Sequence, residues 1–476
     1  MTEHPPITRV RPAALVRTGD ALTVALLLLA GSVALSGGFR VWAGGWRVSV
    51  TSPERLLLAA LLLTSLRHWF VRRPTLPARL WHGAVRLLES EALRAVWPVA
   101  IAGRAGVAAV GLLAVFLVGY PIGEPRFRVS RNELINLPAR WDAGWYLVIA
   151  QVGYRWHPKS RGQQNIAFFP AYPMLMRAGG RLLGGRTPQV VLAGVLISYA
   201  AFLGALMYLF KLARAHPALG SSERAAAAVL LLGSYPFAVF YGALYTEALF
   251  LCATVGAFWH MRQRQLWQVA GWGLLAGLTR PNGAFLSVPL ALLAVTDARR
   301  LETGTGSSVG DAARALLASA APGIGALLFS VFIYQITGNP FEWAAIQDRW
   351  GRTSGVAWQS LAGPFGYVAQ HGLQEYLRVE APNFLNLAAG AFAAALIWPV
   401  TRRLGLAYGA LVAINLAVPL ALGGAISIGR LTATMFPLFL WLAAAVPERR
   451  LAIWVLVFAA GQGLMAVLFY TWRAPY

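Results

Sequence analysis

The feature that most constrains this chain is a series of long apolar runs almost free of charge. A helix that crosses the hydrocarbon of a bilayer needs about 20 apolar residues, within a range of roughly 17–25. Runs of this kind recur near 21–39, 54–71, 97–120, 188–210, 225–243, 246–261, 267–280, 283–296, 313–336, 384–400, 405–424, 429–446 and 451–472. Lipid offers no water to backbone N–H and C=O groups, so each run must close its own hydrogen bonds as a helix. The expected fold class is an all-α polytopic membrane protein with about 11–13 transmembrane helices. The pair spanning 267–296 is short and interrupted by Pro281, Asn282 and Gly283, which reads as two half-length helices or one broken helix.

Composition agrees. Only 12% of the residues are charged and 58% are hydrophobic, against roughly 25% charged in a soluble domain. The net charge is +23, with 41 basic residues against 18 acidic ones. On a soluble protein that balance points to nucleic acid. Here the basic residues are nearly all arginines at the ends of apolar runs and in short loops. There they set topology and meet anionic headgroups, so membrane lipids are the expected partner and nucleic acid is not. The single cysteine, Cys252, excludes an intrachain disulfide and a cysteine metal cluster, and reads as a small core residue.

Basic residues in short loops report orientation. Arg9, Arg11 and Arg17 place the N-terminus in the cytoplasm, and the first run then reads as a retained helix, because another span follows at once. Every inside turn is then basic: Arg72, Arg73, Arg79, Arg86 and Arg94, then Lys211, Arg214 and Arg224, then Arg262 and Arg264. Arg299 with Arg300, Arg402 with Arg403 and Arg449 with Arg450 complete the pattern. Two segments, 121–187 and 337–383, are too long for turns and fall outside. Both are rich in Trp, Tyr, Phe and Arg, the composition of interfacial helices rather than of disorder. With no internal repeat and no separate soluble stretch, residues 1–476 read as one transmembrane domain.

The clearest local constellation is Arg140-Trp141-Asp142-Ala143-Gly144-Trp145-Tyr146, followed by Gly153-Tyr154 and by Ala167-Phe168-Phe169-Pro170-Ala171-Tyr172-Pro173. Asp142 is one of only five aspartates, and aromatic neighbours desolvate it. Those are the surroundings in which a carboxylate serves as a general base; the alternative is an ion pair with Arg140. Glu247, in Tyr245-Thr246-Glu247, sits where one apolar run meets the next. An acid there is either functional or simply placed at a helix N-terminus. Arg280 lies inside the broken helix beside Asn282, Arg352 in the second long loop, and Arg430 at the start of a span. Each is either a phosphate ligand or a topology anchor. The topology brings Asp142, Glu247, Arg280, Arg352 and Arg430 to one side of the membrane. Rare acids and arginines converging there fit a reaction on a lipid phosphate.

Several chemistries are absent from the pattern. There is no phosphate-binding glycine loop, no Asp-x-Asp pair for a metal-bound nucleotide sugar, and no His pair spaced for zinc. No metal and no cofactor are expected, and an activated lipid carrier becomes the natural energy source.

The motifs at 140–146, 153–154 and 167–173 resemble the PIG-V family of membrane mannosyltransferases. The likeness continues through Ser234-Tyr235-Pro236, Tyr245-Thr246-Glu247, Thr279-Arg280-Pro281-Asn282-Gly283, Gly338-Asn339-Pro340 and Arg430 with Phe436-Pro437, covering roughly 130–440. The resemblance implies a GT-C type bundle with an extracytoplasmic site and a polyprenyl-phosphate-sugar donor. It makes Asp142 the essential acid of the first large outer loop. Glu247 would assist, Arg280, Arg430 and Arg352 would hold the donor phosphate, and Arg140, Trp141, Trp145, Tyr146, Tyr172, Tyr245 and Asn282 would line the substrate. The acceptor, whether glycan, lipid or protein, is open. An arginine-rich, lysine-poor chain points to a bacterial inner membrane. Two other functions fit the bare pattern: a transporter or flippase of a lipid-linked or small substrate, and a non-catalytic membrane scaffold.

Overall fold

The computed structural model describes residues 12–36, 39–43, 46–71, 75–122, 127–302, 309–352, 357–423 and 427–473. Arg9, Arg11, Arg72 and Arg73 of the orientation argument lie outside the described residues, as do the side chains of Arg17, Arg299 and Arg300. The chain divides into two compact units, Met1–Arg94 with Ala178–Val190 and Ala95–Arg177 with Val191–Tyr476.

In the first unit, helix α1 (Pro12–Ser36) packs against α2 (Pro53–Phe70), and α3 (Leu76–Leu88) follows. The link between α1 and α2 is an antiparallel hairpin, β1 (Phe39–Ala43) and β2 (Trp46–Val50), registered from Phe39 opposite Val50 to Ala43 opposite Trp46. This hairpin is the one described element outside the all-α expectation. Its segment is rich in Val and Trp, which favour strands, and it is too short to span a bilayer.

The second unit is helical among its described residues. Its helices include α4 (Glu91–Leu117) and α6 (Thr187–Ala215), both of which begin in the first unit, with α5 (Ala143–Val152), α7 (Ser222–Ser234), α8 (Glu247–Arg262) and α9 (Leu266–Thr279). After these come α10 (Ala321–Thr337), α11 (Leu373–Leu404), α12 (Leu406–Gly423), α13 (Ile428–Ala433), α14 (Pro437–Ala445) and α15 (Glu448–Tyr470). The two long segments contain short helices, as their composition required: Glu133–Asn136, α5 and Ala171–Leu182 in the first, and Ala357–His371 in the second.

Five helical stretches among the described residues are long and apolar enough to cross a membrane: Glu91–Leu117, Thr187–Ala215, Gly310–Thr337, Pro382–Leu404 and Glu448–Tyr470. The bent pair Ser222–Ser234 and Pro236–Gly242 makes a sixth if it is one span. Among the described residues, several of the other apolar runs are built from shorter or broken helices. Proline is the physical reason. At 235–236 the helix turns by 82°, because Pro236 donates no hydrogen bond and holds Tyr235 at φ −55°, ψ 142°. Pro281 does the same to Arg280, extended at φ −154°, ψ 154°.

Breaks at such depth free backbone carbonyls that must be satisfied from within. Arg104 of α4 donates Nη2–H to the Gly233 carbonyl at 3.0 Å and Nη1–H to that of Ala238. Gln462 of α15 donates to the carbonyls of Gly233 and Tyr235 at 3.0 and 3.1 Å. Beside the second break, α9 and α10 approach through small residues. A Cβ on Gly277 would collide with the Pro322 carbonyl, and one on Gly325 would sit 2.6 Å from the Leu274 carbonyl. Only glycine permits that backbone contact. Phe169, Phe329, Ile333 and Ile346 form a buried cluster that ties the first long segment to α10 and to the second segment.

Candidate active site

Two rare left-handed residues deliver the two central side chains. Trp141 has φ 53° and Ser427 φ 62°. Such non-glycine conformations cost of order 1–3 kcal/mol and persist only where the surroundings hold them. Trp141 is held by its Nε1–H donated to the Phe469 carbonyl at 3.1 Å and by the Trp472 ring at 5.1 Å. The chain then turns into α5 with Asp142 at its N-terminus. The Asp142 carboxylate accepts no capping hydrogen bond from α5. Its backbone N–H donates instead to the Tyr245 hydroxyl at 3.0 Å. Ser427 stands before α13, which carries Arg430.

The carboxylate is taken up by Arg430, 288 residues away, whose Nη1 lies 2.7 Å from Asp142 Oδ2. The same guanidinium donates Nε–H to Glu247 Oε1. Arg280 Nη1 donates to that same oxygen at 2.9 Å. Asp142, Arg430, Glu247 and Arg280 thus form one chain of alternating charge. Glu247 is wholly buried, while Asp142 keeps a fifth of its side chain exposed. Glu247 is also the first residue of α8, where the helix dipole favours an anion. Its Oε2 is buried without a hydrogen-bond partner among the described residues. The Tyr245 ring lies under the Arg430 guanidinium at 4.7 Å, and Phe250 under that of Arg280 at 5.8 Å.

Asp142, Arg280 and Arg430 line a cavity of about 80 Å³ together with Tyr146, Thr279, Gln347, Trp350 and Arg352. Arg280, Gln347 and Arg352 also line an adjoining cavity of about 370 Å³, whose far wall is apolar, with Phe285, Trp343, Val418 and Leu431. Arg352 therefore stands where the two cavities meet. Asn282 lines the larger cavity and donates to Asn415 Oδ1 at 2.7 Å. Trp145 supports the wall, with ring centroids 5.8 Å from both Phe168 and Trp350. Tyr146 packs edge-on to Phe168 and Tyr172.

Not every candidate reaches the cavity. Arg140 does not pair with Asp142. It is fully buried and meets Glu133 Oε2 at 3.1 Å, the Tyr120 hydroxyl at 3.0 Å and the Tyr470 carbonyl at 3.1 Å. Trp141 is engaged by Phe469 and Trp472. Tyr172 is fully buried and bonds to Ser198 at 2.8 Å and to the Gly194 carbonyl at 3.1 Å. Tyr245 braces the Asp142 backbone and the Arg430 ring contact rather than lining the cavity. Conversely, the sequence reading passed over Glu133, Gln347 and Trp350. Glu133 is one of few acids and stands seven residues before Arg140, which was the available signal. Burial pushes the Glu133 carboxyl up, but the Tyr120 hydroxyl, Arg140 and Arg128 outweigh it and hold the group below the ordinary carboxylate range. Among the described residues, no group of three or more His, Cys, Asp or Glu side chains comes together as a metal site.

Residues 127–296 match the family model for Mannosyltransferase (PIG-V). The chain is similar to GPI alpha-1,6-mannosyltransferase 2 of Cricetulus griseus, 30% identical over 149 residues, which is 30% of this chain and 29% of that protein. The protein of the same description from Rattus norvegicus is 30% identical over 156 residues, 32% of this chain and 30% of its own length. That from Homo sapiens is 29% identical over 149 residues, 30% of this chain and 29% of its own length. The chain spans about three tenths of the length of these relatives. The resemblance read from the motifs is shown over the matched stretch, which holds Asp142, Glu247, Arg280 and Asn282 and ends before Arg352 and Arg430.

Proposed function

We propose that this protein is an inverting glycosyltransferase, moving a sugar, mannose first among candidates, from a polyprenyl phosphate to an acceptor hydroxyl on the extracytoplasmic side of a bacterial plasma membrane. The observation that carries this reading is the bridge from Arg430 to both Asp142 and Glu247 at the wall of a cavity that Arg280 and Arg352 share.

Asp142 is the general base. Arg430 holds Oδ2, and Oδ1 takes the proton of the acceptor hydroxyl. The acceptor oxygen bonds to the anomeric carbon from the face opposite the phosphate. The anomeric C–O bond breaks, and its electron pair stays on the phosphate oxygen. The donor phosphodiester carries one negative charge and the released phosphomonoester two. The arginines are placed to stabilise that gain. The charged side chains of the cavity, with Glu247 behind them, total three cations and two anions, which offsets one phosphodiester. After transfer Asp142 is neutral and the phosphate is a dianion, so the balance is kept. Glu247 has no exposed surface and holds Arg280 and Arg430 in place; it takes no proton from the acceptor. The apolar wall of the larger cavity, and an apolar groove of about 480 Å³ lined in part by Ile428, two residues before Arg430, suit a prenyl chain. The reaction as written uses no metal or cofactor. The names of the relatives support mannose as the sugar; the acceptor class is left to experiment.

The test is sugar transfer from radiolabelled polyprenyl-phosphate-mannose in membranes carrying the parent or Asp142→Asn. The expected result is a labelled product from the parent and a rate lower by about 10²–10⁴-fold in the variant. Equal labelling would remove Asp142 from the chemistry. No labelling in either would remove the donor or the transferase reading and favour transport.

A further inference from the structure

In the first unit, α3 presents two chemically distinct faces. Leu80, Trp81, Ala84, Leu87 and Leu88 fall on one arc by helical periodicity, and Arg79, His82 and Arg86 fall on the opposite one. The apolar arc is not covered. Leu80 is 54% exposed, Trp81 69%, Leu87 49% and Leu88 66%. A soluble helix with that pattern would turn this arc into a core. Here only Leu76, at its start, is buried.

The helix is held in place by an acid. Asp20 of α1 lies 2.9 Å from Arg67 Nε of α2 and 2.9 Å from Arg79 Nη1 of α3. Arg67 in turn donates to the Val71 carbonyl at the end of α2 at 2.9 Å. Asp20 thus fixes the start of α3 at the end of the α1–α2 pair. At that same end α2 exposes Trp69 and Phe70, the last of a row with Leu58, Leu62 and Leu66. Exposed apolar rows thus stand on both α2 and α3. The basic arc lies on the other side, and residues 71–94 carry five arginines against two glutamates.

We propose that α3 lies in the membrane interface, with its Leu80–Leu88 arc among the acyl chains and His82 and Arg86 against acidic phospholipid headgroups. An amphipathic helix with aromatic and aliphatic residues on one face and cationic residues on the other binds in this way, through buried apolar area and attraction to anionic lipid. This site is separate from the transferase reading and does not depend on it.

The chain suits a direct test, because its one native cysteine, Cys252, is buried. Trp81→Cys and Leu88→Cys report on the apolar arc, and His82→Cys and Arg86→Cys on the basic arc. In nanodiscs of phosphatidylcholine and phosphatidylglycerol, a water-soluble maleimide should label the apolar arc at least roughly tenfold more slowly than the basic arc. Thermal unfolding midpoints equal to the parent's show that each variant is folded. Equal labelling rates overturn the proposal. Phosphatidylglycerol with a diazirine in its acyl chain should give adducts on residues 80–88. Slow labelling without adducts would mean that protein, not lipid, covers the arc, and would overturn it too. Arg86→Glu should reduce adducts by about fivefold; unchanged adducts would refute the acidic-headgroup contact.

Discussion

Glu247→Gln tests the wiring of the site most directly. The carboxylate is wholly buried, and Oε1 accepts from Arg280 at 2.9 Å and from Arg430. Glutamine keeps an acceptor in that position but removes the charge, and it places an amide N–H₂ beside two guanidiniums. Removing one partner of a buried ion pair costs about 3–5 kcal/mol. The retained acceptor recovers a neutral hydrogen bond of about 1 kcal/mol, leaving an expected loss of about 2–4 kcal/mol. Arg280→Met leaves Glu247 with Arg430 alone, and the double variant should lose less than the sum of the singles by about 1–3 kcal/mol. Denaturant unfolding in detergent, followed by tryptophan fluorescence, reads all three. The pH dependence of any residual transfer should keep the parent's shape, because the proposed base, Asp142, is retained. A Glu247→Gln loss below about 0.5 kcal/mol, or additive effects in the double variant, would refute the clamp. A changed pH profile would make Glu247 the base instead.

Gly277→Val places a side chain against the Pro322 carbonyl and should destabilise by at least about 1–3 kcal/mol, measured as a lowered unfolding midpoint with loss of activity in parallel. Arg104→Met strands the Ala238 carbonyl, while Gln462 still serves Gly233; the expected cost is about 1–3 kcal/mol in the same assay. Glu133 is held below its ordinary range by Tyr120, Arg140 and Arg128 against the pull of burial. A depressed carboxyl stabilises the fold above its unfolded value of about 4.3 and ceases to do so as pH falls through the lower folded value. Unfolding midpoints between about pH 5 and 3 should therefore fall less in Glu133→Gln than in the parent.

Much of the site was legible because charge is costly in an apolar chain. Asp142, Glu247, Arg280 and Arg430 each stood out as a charge that needs a partner, and the structure joins them into one network. Who pairs with whom was not legible. Arg140 and Asp142 are two residues apart, yet the left-handed Trp141 between them turns the chain. Arg140 is taken by Glu133 and the Tyr470 carbonyl, and Asp142 by Arg430. Nothing in a local motif reports a carbonyl 330 residues away. The broken helix at 280–283 was visible in Pro281, and Pro236 carried the same signal within the run at 225–243, which hydropathy alone smoothed into one span. The β1–β2 hairpin escaped because a short segment between two apolar runs leaves few residues on which a period of two can be seen.

The division of the site along the chain has a consequence for what the matched stretch can do alone. Residues 127–296 contribute Asp142, Glu247 and Arg280, two anions and one cation, a balance that repels a phosphate. Arg430 and Arg352 reverse the sign, and both come from beyond that stretch. The residues after 427 also supply the Phe469 and Tyr470 carbonyls that hold Trp141 and Arg140 on either side of the turn into Asp142. A single guanidinium from the C-terminal helices thus ties the proposed base, Asp142, to Glu247, the partner of Arg280, with one nitrogen on each acid. Arg430→Lys keeps the charge but offers one ammonium where two separated donors are needed. It should therefore retain phosphate attraction and lose the placement of Asp142, lowering kcat more than it raises KM. A variant with parent kcat would show that Asp142 is positioned without Arg430.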